Sequence, residues 1–274
     1  MNWWQATVLG IVEGVTEYLP VSSTGHLILS QRLLRIPASE AADAYAICIQ
    51  AGAILAVLGL YWPQVRKMLL GLLGRDAEGL ALAGNIVIAF LPAAVFGVLF
   101  DDRIETYLFG LWPITAAWFA GGLAILAVAR RPRLQRTRAG EGGNLATLSR
   151  RMALLIGLAQ CLAMWPGTSR SLVTILAGIL TGLSLASAVE FSFLLGVVTL
   201  TAATGFKALH GGAAMVQAYG WTTMFIGFAA ATVSAAVAVQ WMVSYLNRHS
   251  LAIFGYYRLV LAVVVAGLLA GGVM

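Results

Sequence analysis

The chain has 274 residues, of which 60% are hydrophobic and only 10% charged, with a formal net charge of +6. A soluble domain carries about 25% charged residues, so these proportions exclude an ordinary water-soluble enzyme or binding module. Nor do they suggest nucleic-acid binding: seven arginines fall within 130–151, where membrane topology explains them better.

In chain order, the segment 3–35 is apolar but broken at Pro20, which Val-Ser-Ser-Thr-Gly-His follows. Proline removes a backbone donor and clashes with the preceding turn, so a re-entrant helix hairpin is expected here. Spans of about 20 residues, enough for roughly 30 Å of hydrocarbon, are predicted near 41–61, 80–100 and 108–129. An acid-rich loop at 101–107 sets Asp101, Asp102 and Glu105 against Arg103. After the basic segment 130–151, the segment 152–184 repeats the broken pattern at Pro166. Spans near 186–206, 223–246 and 251–273 follow. No cleavable leader is expected, because the first residues lack a basic region and Glu13 interrupts the first apolar run. Cys48 and Cys161 lie in apolar segments and read as buried small residues, not a disulfide.

The positive-inside rule places 130–151 in the cytoplasm. Counting spans puts 62–79, with Arg66, Lys67 and Arg75, and 247–250, with Arg248, on the same side. Arg32 and Arg35 are exceptions on the outer side, and both termini come out external. Trp3, Trp4, Trp62, Trp112 and Trp221 mark span ends as an interfacial belt would.

The two halves resemble each other. Gly10, Glu13 and Glu17 align with Gly157, Gln160 and Met164 at an offset of 147. After a one-residue slip, Pro20, Ser22 and Ser23 align with Pro166, Thr168 and Ser169. Phe109 and Gly110 correspond to Phe254 and Gly255. One hairpin and three spans per half give an odd number of crossings, which inverts the second copy. The expected fold is therefore an all-α polytopic membrane protein with six transmembrane helices, two re-entrant hairpins and an inverted-topology repeat. Its parts are 1–129, the cytoplasmic loop 130–151 and 152–274, within a single integral membrane domain.

Ionisable residues inside such helices are costly and mark working sites. Two motifs hold them: EGVTEYLPVSSTGH at 13–26 and PGTSRS at 166–171. Glu13 and Glu17 share one helix face, where like charges need a cation or a proton. Paired carboxylates suit Mg²⁺, with Ca²⁺ as the alternative. Ser22, Ser23, Thr24 and Gly25 open one helix, and Thr168, Ser169 and Ser171 open another. Both are anion sites by their free N–H groups, and the Arg170 fork matches a phosphate. Ser23 and His26, three apart, supply a nucleophile with an acid or base. Glu190 is either a partner of Arg170 or an interfacial residue, while His210 and His249 read as solvated loop residues. The hairpin tips should converge, bringing Ser23, His26 and Arg170 into one outward-opening pocket. Such a pocket serves a lipid-diphosphate phosphatase or a lipid-phosphate transporter or flippase.

The two motifs, with IQAG at 49–52 and EFSFLL at 190–195, resemble the undecaprenyl-diphosphate phosphatase family, also called the bacitracin-resistance protein family. The resemblance covers essentially the whole chain. It implies hydrolysis of a polyprenyl diphosphate lipid to its monophosphate in the bacterial cytoplasmic membrane, recycling the carrier for cell-wall synthesis. It also implies catalytic roles for Glu17, Ser23, His26 and Arg170, and metal binding at Glu13 and Glu17. One departure is Leu172, where the family usually has glycine after SRS. The partners expected are the lipid diphosphate and membrane lipid but no nucleic acid, and a homodimer is left open.

The topology generates the first prediction. In a chain with Cys48 and Cys161 replaced by serine, Gly140→Cys will resist an impermeant thiol reagent applied to intact cells and will react after lysis. Labelling from outside would overturn the orientation.

Overall fold

The computed structural model describes residues 1–130 and 142–272. Helices dominate the described residues, with one isolated bridge between Gly143 and Leu183. Helix α1 (Trp3–Thr16) opens on a capping box: the Asn2 side chain accepts from the Gln5 N–H, and the Gln5 side chain accepts from the Asn2 N–H. It stops four residues before Pro20, and α2 (Ser23–Leu33) begins after the break. The second broken segment repeats this plan. Helix α7 (Arg150–Gln160) passes through a 3-10 turn, Cys161–Met164, to the Pro166 break and then α8 (Arg170–Thr181). Within each pair the two helices pack on each other. At 14, 11, 11 and 12 residues, none approaches the ~20 residues that a crossing needs.

Among the described residues, six helical stretches are long and apolar enough to cross a membrane. Three are whole helices: α3 (Glu40–Leu60), α6 (Leu111–Ala129) and α10 (Ala252–Ala270). One is Ala77–Phe100, within α5 (Ala77–Leu108), and two, Leu185–Leu209 and Ala213–Leu246, lie within α9 (Leu185–Leu246). They match the six expected spans. Helix α4 (Trp62–Leu72) links α3 to α5.

Two expected loops are helical instead. Residues 101–107 continue α5, whose backbone stays helical to Leu108. Polar sequence alone does not end a helix, because every backbone bond is already made within it. His210 likewise lies on helical backbone in α9. The reversal comes later, at Gly220, whose φ of 72° and ψ of 159° are open to glycine. The first arm of α9 runs along α3: near its start Glu190 accepts from Gln64 of α4 at 2.6 Å, and further on Thr204 donates to the Ile47 carbonyl of α3 at 3.4 Å. The second arm returns from Tyr45, which bonds the Thr223 carbonyl at 3.4 Å, to Gly52, which sits against Phe228 and Thr232. Arg131, Arg133, Arg136 and Arg138, which carry much of the orientation argument, lie outside the described residues. Both cysteines are free and partly buried, and His249 is exposed in a turn, stacked on Tyr245.

The packing partners form a pattern. Helix α3 packs on α9 and α6 packs on α10. Helix α1 lies along the second arm of α9, while α7 lies along α5, with Gly157 against Ala89. The α1 contact depends on Gly10 and Gly14, where a Cβ would stand 2.4 Å from the Gly227 carbonyl oxygen and 2.1 Å from Ser234 Oγ. Small residues at this spacing let helix backbones approach where lipid provides no hydrophobic drive.

Gly10→Leu is expected to destabilise the protein by about 1–3 kcal/mol through overpacking. Gly59→Leu is the control, because nothing lies within 4 Å of a Cβ there. Thermal unfolding in detergent reads the difference, and equal midpoints for the two variants would contradict the packing argument.

Candidate active site

Each broken segment enters its second helix through a serine in the left-handed region, Ser22 and Ser169, both at φ 76°. That conformation costs about 1–3 kcal/mol per residue. It persists because the surroundings fix both turns. The two serines are separated by the same offset as Gly10 and Gly157, so the turns correspond without the expected slip. Ser22 matches Ser169, and Ser23 matches Arg170.

Helices α6 and α10 form the wall behind the turns. Trp118 Nε1 donates to the Val21 carbonyl at 3.1 Å, and Trp165 Nε1 donates to the Pro113 carbonyl at 3.1 Å. Arg258, fully buried on α10, donates to four backbone carbonyls: Pro20 at 3.3 Å, Gly167 at 2.8 Å, Ala117 at 2.8 Å and Trp118 at 3.3 Å. Ser171 Oγ adds a bond across the halves, to the Leu19 carbonyl at 2.9 Å.

In front of that wall, two of the expected residues meet on the carboxylate of a third. Glu17 Oε1 accepts from Arg170 Nη2 at 2.9 Å, and Glu17 Oε2 accepts the hydroxyl of Ser23. Arg170 also donates to the Ser192 carbonyl at 2.9 Å and lies over the Tyr18 ring, 5.2 Å from its centroid. Glu13 is fully buried with its carboxyl against that of Glu17, and no donor among the described residues reaches its oxygens, so the two acids can bond each other only by sharing a proton. Tyr18 Oη and Arg170 Nε are likewise without partners. A buried carboxylate left this way requires a proton or a cation.

His26 belongs to the same turn but does not bond Ser23. Its Nδ1 lies 2.6 Å from the Ser22 carbonyl and its Nε2 lies 2.7 Å from the Tyr257 hydroxyl. A carbonyl only accepts, so Nδ1 carries the hydrogen and neutral His26 offers Nε2 as the acceptor. Its ring stacks on Tyr257 and meets the Trp118 ring edge-on.

The remaining expected residues divide. Ser22 is buried and gives its carbonyl to His26, and Thr24 is half-buried on the first turn of α2. Gly25 is a packing residue, since a Cβ there would stand 2.5 Å from Trp118. Thr168 closes the second turn through its N–H to the Trp165 carbonyl at 3.0 Å. Ser169 and Ser171 bond each other at 3.0 Å, and Ser169 caps the N–H of Leu172. Leu172 sits in α8 with its side chain in the core. Glu190 is bonded to Gln64, while Arg170 takes Glu17 and Ser192.

Sequence reasoning missed Arg258, Tyr257, Trp118 and Tyr18. For Arg258 a signal existed, an ionisable residue in an apolar helix. Aromatic residues in an apolar segment carry no such mark.

The arrangement couples a hydroxyl whose proton points at a carboxylate with a guanidinium at the same carboxylate and an unsatisfied second acid. That set can bind a phosphoryl group and generate an oxygen nucleophile. Among the described residues no three His, Cys, Asp or Glu form a metal cluster. A cation here would rest on Glu13 and the ligand's own oxygens, and Glu17, each of whose oxygens accepts one hydrogen bond, keeps lone pairs open to it.

The family profile described as bacitracin resistance protein BacA matches residues 6–264. The undecaprenyl-diphosphatase of Sorangium cellulosum is 43% identical over 267 residues, covering 97% of this chain and 86% of its own. Undecaprenyl-diphosphatase 2 of Rhodospirillum rubrum is 42% identical over 261 residues, covering 95% and 93%. The undecaprenyl-diphosphatase of Deinococcus radiodurans is 39% identical over 278 residues, covering 100% and 98%.

The unsatisfied acid gives a prediction independent of activity. Without divalent ions, Glu13→Gln is expected to stabilise the protein by about 1–3 kcal/mol, because the amide cannot carry a buried charge beside Glu17 and offers that carboxylate a donor. A lowered melting midpoint in detergent would show that the carboxyl is satisfied in solution.

Proposed function

Because this chain belongs to the bacitracin resistance protein BacA family, we propose that it is an integral-membrane undecaprenyl-diphosphatase. It cleaves a long-chain prenyl diphosphate to the monophosphate and inorganic phosphate, returning the carrier to cell-wall synthesis. The single observation that carries the chemistry is Glu17 held between the Ser23 hydroxyl and the Arg170 guanidinium. The relatives are named for diphosphatase activity, which gives the transporter reading no support.

The terminal phosphate engages Arg170, whose planar fork suits two phosphate oxygens. As the guanidinium turns to the phosphate, Glu17 is free to take the Ser23 proton. Ser23 Oγ attacks the terminal phosphorus, and the bond to the bridging oxygen breaks. Prenyl monophosphate leaves, and water then hydrolyses the phosphoserine. Phosphoryl transfer depends mainly on positioning and charge neutralisation, and the N-termini of α2 and α8 add to the positive field. The geometry favours Ser23 over His26 as nucleophile, because the free lone pair of His26 is occupied by Tyr257.

A divalent cation, Mg²⁺ in the first instance, would be held by Glu13 together with phosphate oxygens, which is how Mg²⁺ commonly binds. It would supply charge neutralisation for the diphosphate. The exchange of packing partners supports an inverted repeat: α1 lies on the second arm of α9 as α7 lies on α5. The short paired helices support re-entrant hairpins. In this reading the protein sits in the bacterial inner membrane and its site opens to the periplasmic face.

Phosphate release from a prenyl diphosphate by the purified protein tests the whole reading. Arg170→Lys is expected to lose about 10²-fold or more, the scale on which misplacement costs rate. Excess chelator should remove activity, and readded Mg²⁺ should restore it. A folded Arg170→Lys protein with normal turnover would sink the assignment of this site, and full activity in chelator would remove the cation.

A further inference from the structure

We propose that Arg258 is a positioning residue of this site, setting the separation of the two hairpin turns through the carbonyls of Pro20 and Gly167. Its guanidinium is fully buried and has no carboxylate partner among the described residues. Its recorded hydrogen bonds all go to backbone oxygens, and they come from three chain segments: the first turn, the second turn and α6. Ser23 follows Pro20 by three residues, and Arg170 follows Gly167 by three. Any slack between those carbonyls passes directly to the groups that meet on Glu17. A planar fan of donors can hold several directions at once, whereas an ammonium on a flexible stem cannot. The fan is seated against Gly121 of α6, where a Cβ would stand 2.2 Å from Nη2. The inference rests on the phosphatase reading of the site, and wild-type turnover in the same assay tests that reading separately.

The test uses Arg258→Lys and Gly121→Ala in the full-length protein. The second variant keeps the arginine and raises helix propensity, yet displaces the guanidinium, so it carries the test if the first fails to fold. Two quantities are measured: kcat and KM for prenyl diphosphate, and amide hydrogen exchange by mass spectrometry in detergent. The expected result is a kcat about 10²-fold below wild type with KM within a few-fold. Peptides covering 17–22 and 165–169 should exchange faster together, while those from the α1–α9 contact stay unchanged. A simple structural role predicts something else: activity falling only in proportion to folded protein, with exchange rising throughout. That outcome, or folded variants with near-normal kcat, overturns the proposal. No turnover by wild type would instead overturn the phosphatase reading.

Discussion

A chain that turns back on itself inside a bundle leaves peptide groups without helical partners, and an apolar medium supplies none. In this protein the groups freed by Pro20 and Pro166 are satisfied by side chains from elsewhere in the fold. Trp118 and Arg258 serve the first turn, Arg258 also serves the second, and Ser171 links the second turn back to Leu19. These bonds fall on the residues that flank the two strained serines. Remove the constraint, and Ser23 and Arg170 have no reason to share a carboxylate.

The same economy governs charge. Glu17 is neutralised by Arg170 and hydrogen-bonded by Ser23, whereas Glu13 is left unsatisfied beside it. Gln160, at the corresponding place in the second half, is neutral and partnered, accepting from Thr199 at 3.3 Å and donating to the Ala89 carbonyl at 3.5 Å. The first broken segment keeps an acid that no donor reaches, and the second keeps an amide bonded through both its oxygen and its nitrogen. Proteins concentrate destabilised groups where they act.

Much of this was legible in the residues. The spans followed from apolar run length, and Glu13, Glu17 and Arg170 stood out as ions in apolar surroundings. What stayed hidden depends on contacts between distant segments. Nothing near Glu190 announces Gln64, which lies 126 positions earlier. Ser23 and His26 are three apart, but their partners, Glu17 and Tyr257, point them to different neighbours. The apparent slip between the turns arose from matching prolines, whereas the backbone aligns the strained serines. The helical continuation of α5 was invisible because hydropathy reports the edge of an apolar run, and helices do not need to end there.

The position of Arg258 in the chain bears on how the protein is made. The first turn emerges early in synthesis and the second well past the midpoint, but the residue that joins their carbonyls lies in the last helix, α10. Until that helix inserts, the Pro20 and Gly167 carbonyls lack the guanidinium that donates to both. The two turns are therefore joined only after α10 has entered the bundle. A chain that has not yet made α10 holds the acids, the serine and Arg170 but lacks the side chain that ties the two turns together.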